Sequence, residues 1–95
     1  MSAYAILQIN ITNQENYKEY LNQVTTIVKK HQGEYIVRGG KSEVVLGKWD
    51  YQRTVVVKFL NYDAAFKWYE SEEYAPIKKI REDNSKGNCI IIEGL

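Results

Sequence analysis

Between residues 17 and 31 apolar side chains recur at spacings of three and four: Tyr17, Tyr20, Leu21, Val24, Ile27, Val28 and His31. At 3.6 residues per turn this set falls on one face of an α-helix, and such a face has to be buried against a partner. Strand-like runs stand on both sides of it. In Ala3–Ile11 one parity is wholly apolar (Ala3, Ala5, Leu7, Ile9, Ile11) and the other mixed (Tyr4, Ile6, Gln8, Asn10), the two-residue period of a strand packed on a core by one face. Tyr35–Val37 is the second run. The chain is therefore predicted to begin as strand, helix, strand, with the helical stripe closed on a sheet.

The helix boundaries carry signals of their own. Thr12-Asn13-Gln14-Glu15 fits a capping box, Lys29 and Lys30 suit the negative end of the helix dipole, and Gly33 is expected to supply a left-handed stop. Arg38-Gly39-Gly40-Lys41 then reads as a turn or bulge. Glu43–Trp49 reads as an irregular strand pairing back as a hairpin, and Asp50–Gln52 as a second turn. Arg53–Leu60, rich in β-branched residues and free of Pro and Gly, is predicted as a central strand. Asn61 caps a helix over Tyr62–Glu70, Ser71-Glu72-Glu73 interrupts it, and a short helix follows from about Tyr74 to Asp83, with Pro76 near its start. Lys86-Gly87-Asn88 reads as a turn before a last apolar strand, Cys89–Ile92.

Strand, helix, strand, strand, helix, strand is the order of the split βαβ, ferredoxin-like α+β fold, an antiparallel sheet with its helices on one face, here over a single domain of residues 1–95. The other sheet face is left bare and partly apolar, and a homodimer with two such faces in contact is the economical way to cover it. A domain this small gains much from a partner. With 13 basic and 12 acidic residues interspersed, the chain has no field suited to nucleic acid or an anionic membrane. No apolar run is long enough to span a bilayer, and Met-Ser-Ala-Tyr-Ala has no secretory character, so a cytoplasmic location is expected.

Chemistry is harder to read. One His and one Cys, far apart, support no metal site, and no nucleotide fingerprint occurs, so no cofactor is expected. Cys89, at the start of an apolar strand, reads as a small core residue rather than a nucleophile. Arg38 and Arg53 are the sharper signal, because an arginine keeps its charge and, if buried, has to meet a carboxylate or an anionic ligand. Two readings are open. Glu43, Asp50 or Glu93 pairs with them and locks strand ends or a dimer; or the two arginines clamp a small carboxylate or carbonyl compound, with Trp68, Tyr69 and Tyr74 as apolar walls and His31 as proton acceptor. His31 also fits a structural role at its helix end, Ser71 reads as an N-cap, and Arg81 reads either as reaching the strand ends or as solvated.

The whole chain resembles the family called domain of unknown function 1330, within the dimeric α+β barrel superfamily. The residues that carry the resemblance are Tyr17 and Tyr20, Gly33 with Tyr35-Ile36-Val37-Arg38-Gly39-Gly40, Gly47 with Trp49, Arg53, Ala65, Trp68-Tyr69, Ser71, Tyr74, Arg81 and Glu93-Gly94. Family members commonly have a glycine where this chain has Gln32, a glutamate at Leu46, and prolines near Gln52 and at Glu72. The resemblance implies a dimeric barrel. Two functions are then expected: small-molecule binding, with or without cofactor-independent catalysis, or a non-catalytic dimer whose barrel is filled by side chains.

Overall fold

The computed structural model describes residues 1–95. Its elements are β1 (Ala3–Ile11), α1 (Gln14–Lys30), β2 (Glu34–Arg38), β3 (Arg53–Phe59), α2 (Tyr62–Tyr69), α3 (Ala75–Asp83) and β4 (Ser85–Glu93). The four strands form one antiparallel sheet in the order β2-β3-β1-β4, so the first and third strands of the chain lie at its centre. This is the ferredoxin-like βαββαβ arrangement. Alternation decides the layers: Ala3, Ala5, Leu7 and Ile9 of β1 and Val55, Val57 and Phe59 of β3 are buried beneath the helices. They meet Tyr17, Tyr20, Val24, Ile27 and Val28 of α1, and Ala65, Trp68, Tyr74 and Ile77 from the second helical region.

The opposite sheet face is open. Tyr4, Ile6 and Val56 are half-buried there, and Ile90 and Ile92 are 55% and 47% exposed. Beside this face runs the connection from Gly39 to Gln52. It forms no strand, which corrects the hairpin expected at Glu43–Trp49. Val44-Val45-Leu46 is too short to build a ladder of its own, and left-handed glycines at both ends, Gly39 (φ 67°) and Gly47 (φ 74°), turn the backbone away from β2. Val45 and Leu46 are each 90% exposed.

Three smaller corrections have local causes. Asn13, not Thr12, caps α1, its side chain accepting from the Asn16 amide at 3.0 Å, while the Thr12 amide remains tied to the Asn84 carbonyl at 2.9 Å. Lys86-Gly87-Asn88 is no turn but part of β4, which pairs with β1 along its whole length. Gly87 permits this, since any Cβ there would strike the Gln8 carbonyl. The left-handed residue after α1 is Gln32 (φ 59°), in a Schellman end where the Gly33 and Gln32 amides donate to the Val28 and Lys29 carbonyls at 2.9 Å each. Gly33 is needed for a different reason: a Cβ would press on Val28 and Phe59.

The strain at Gln32 yields a test. Gln32→Gly removes the Cβ clash of the left-handed conformation at some loss of unfolded-state entropy, for an expected net gain of about 0.5–1 kcal/mol. Chemical denaturation checks it, and a loss of stability contradicts it.

Candidate functional site

The chain has three arginines, Arg38, Arg53 and Arg81. None forms an ion pair. Every salt bridge in the molecule uses a lysine or His31. Arg38, at the end of β2, is exposed, donates from Nη2 to Thr25 Oγ1 at 2.9 Å and lies 4.1 Å from the Tyr35 ring centre. Arg53, opening β3, is half-buried, and its guanidinium covers Gly39, where a Cβ would collide with it. Its Nε is buried with no partner.

The carboxylates expected beside these two are elsewhere. Glu93 sits opposite Ala3 and Arg53 opposite Ile9, so roughly 20 Å of strand lies between them. Asp50 pairs with Lys48 at 3.8 Å, and Glu43 is in no ion pair.

Arg81 is the residue that sequence reasoning left unplaced. It is 7% exposed on α3, donating from Nη1 to Tyr74 Oη at 3.2 Å and from Nη2 to Tyr69 Oη at 3.0 Å. Tyr74 Oη in turn lies 2.7 Å from Tyr20 Oη. A hydroxyl that accepts from a guanidinium becomes a better donor, which favours a chain running Arg81 to Tyr74 to Tyr20. Burial holds the Tyr74 phenol above its ordinary pKa in spite of the pull of Arg81, and burial with the Tyr74 contact does the same for Tyr20. All of Arg81's bonded partners are thus neutral oxygens. A signal for its burial was present, because Tyr74, Ile77 and Arg81 follow the three-and-four spacing of one helix face.

Arg81 and Tyr69 line a cleft of about 530 Å³ with Ile9, Tyr51, Asn88 and Cys89, while Glu82 and Lys86 are exposed residues of its wall. Burial raises the Cys89 thiol pKa, which leaves it an unreactive wall residue. Arg38 and Arg53 border a different opening, a recess between sheet and α1 that has about 20 Å³ of free space, room for roughly one water. Trp68, 1% exposed, lines this recess too, and its Nε1 is buried without a partner.

The expected site residues are therefore divided. Tyr69 lines the cleft; Trp68, Arg38 and Arg53 line the recess. Tyr74 is fully buried behind them, stacked 4.5 Å from Trp68. His31 borders neither space. It ends α1 with Nε2 3.1 Å from Glu73 Oε1. Lys30 also reaches Glu73, at 3.3 Å, and its hydrogen bond is the main cause that keeps this carboxylate below its ordinary pKa. Ser71 closes the break before α3 as a local cap, accepting from the Tyr74 amide at 3.2 Å and donating to the Trp68 carbonyl at 2.9 Å.

Several solved structures share this fold. A protein of unknown function from Rhodopseudomonas palustris superposes with a TM-score of 0.77 at 12% identity, over 99% of this chain and 82% of that one. SnoaB from Streptomyces nogalater, a cofactor-independent oxygenase, does so with a TM-score of 0.64 at 8% identity, over 99% and 93%. A dimeric ferredoxin-like protein of unknown function from Bacteroides fragilis gives 0.58 at 13% identity, over 98% and 96%. No curated protein matches the sequence. Residues 2–95 match the family described as Domain of unknown function (DUF1330).

Proposed function

The chain belongs to this DUF1330 family, and on that footing we propose that it is a homodimer that binds a small carboxylate or carbonyl compound with an apolar body. What carries the binding reading is Arg81, a buried charge with no carboxylate partner, bordering a cleft of about 530 Å³. An unpaired buried charge costs several kcal/mol, and an anionic ligand offsets that cost. The guanidinium has five N–H donors, and Tyr69 and Tyr74 take two. Tyr69, Tyr51 and Ile9 form walls for the ligand's body. Trp68, Arg53 and Arg38 serve the neighbouring recess, and Tyr74 positions Arg81 from behind. His31, engaged by Glu73, is assigned no proton-transfer role.

The dimer reading rests on the bare sheet face and the apolar arm next to it. Ile36, Val37, Ile90, Ile92, Val45, Leu46 and Trp49 are all at least 40% exposed, an unusual amount of apolar surface for a domain this small. Dimeric proteins occur among its structural neighbours. Equilibrium sedimentation at micromolar concentration is expected to give twice the chain mass of 11.1 kDa. Ile90→Lys, which places a charge amid the open face without touching the core, should shift the chain towards monomer by at least about tenfold in dissociation constant. A monomeric parent chain at that concentration overturns the reading. The assembly-only alternative draws on the near-filled recess, yet its arginines lack the carboxylate partners that a closed salt-bridged interior requires.

A further inference from the structure

We propose that the recess between α1 and the sheet is a second site, separate from the cleft, which receives one oxygen of a small aliphatic monocarboxylate. Two buried N–H groups without a partner belong to its lining, Arg53 Nε and Trp68 Nε1. These are the two buried side-chain polar atoms of the molecule that have none. Tyr17 lines the same space, is 2% exposed, and lies in the field of Arg53, Arg81 and Arg38, which act against the burial that raises its pKa. It stays protonated at neutral pH. The lining contains no carboxylate and no amide: ten of its twelve residues are apolar or aromatic and the other two are Arg38 and Arg53.

Donors without acceptors define what fits. A buried N–H left unsatisfied costs about 1–3 kcal/mol, so an acceptor that meets either group offsets a sizeable deficit. Water supplies such an acceptor, but it leaves the charge of Arg53 unbalanced. A carboxylate oxygen supplies the acceptor and the charge together. The free space of about 20 Å³ admits one oxygen-sized atom, so the second oxygen and a short alkyl tail stay outside it, where Leu21 and Tyr35 are the partly exposed apolar residues of the lining.

The test uses the full chain, labelled with nitrogen-15, and propionate as the probe. The chain has two tryptophans, so Trp49→Phe leaves one indole N–H resonance, that of Trp68. Propionate is expected to move this resonance saturably, with a dissociation constant in the millimolar range, while propionamide and sodium chloride at matched ionic strength leave it in place. Arg53→Gln should weaken the effect at least about tenfold. Tyr17→Phe, which keeps the ring and so the fold, should weaken it by a smaller factor. Arg81→Met should leave it intact, which separates this site from the cleft: if Arg81→Met binds carboxylates in the cleft as well as the parent chain while the Trp68 shift is retained, only the reading above is rejected. No shift with propionate up to about 100 mM, a shift that chloride reproduces, or a shift indifferent to Arg53→Gln overturns the proposal.

Discussion

Replacing Trp68 with alanine is expected to lower the thermal midpoint by roughly 15–30 °C. The indole is 1% exposed and lies 4.5 Å from the Tyr74 ring, 5.2 Å from Phe59 and 5.7 Å from Tyr69. Through these contacts it joins β3, α2 and the break before α3. Truncating a buried tryptophan costs about 3–5 kcal/mol, against a total of about 5–15 kcal/mol for a typical domain. In a chain of this length each kcal/mol moves the midpoint by about 4–8 °C. Circular dichroism on heating measures the shift, and a fall of less than about 5 °C would show that the aromatic cluster is not what unites the two halves.

Arg81→Met separates binding from folding. Binding of small carboxylates in the cleft, measured by calorimetry, is expected to fall at least about thirtyfold, in keeping with the 2–5 kcal/mol lost when one partner of a buried charge pair is removed. Stability is expected to change by less than about 1 kcal/mol, or to rise, because an apolar side chain of similar length removes an unbalanced buried charge. Tyr74 keeps its bond to Tyr20 in this variant, so the aromatic layer remains supported. If the variant binds carboxylates as well as the parent chain, Arg81 serves packing alone. If it unfolds, the phenol contacts matter more than the desolvation that opposes them.

How far the sequence reveals this molecule depends on the range of the interactions involved. β1, α1 and β3 are legible because periodicity is local, and Leu7, Val24 and Val57 are buried as their phase requires. Val44-Val45-Leu46 misleads because β-branched residues signal a strand while pairing needs a free edge and enough length. Lys86-Gly87-Asn88 misleads in the opposite sense: its glycine meets a close backbone approach by Gln8, not a turn. The site is less legible than the fold. The surroundings of Arg53 follow from sheet register, which puts Glu93 at the far end of β1, and no residue pattern near position 53 announces that. Arg81 was within reach of sequence reasoning, yet a charged residue near a helix end invites a solvated reading until its phase with Tyr74 and Ile77 is noticed.

The connection between β2 and β3 carries one more consequence. Its apolar tip, Val44-Val45-Leu46, stands in solvent with no ladder to protect its backbone, the kind of segment proteases cut first. In the proposed dimer the same tip is covered by the second copy. Cleavage of the purified chain by a protease within residues 44–46 is then expected to slow as its concentration rises and the dimer forms.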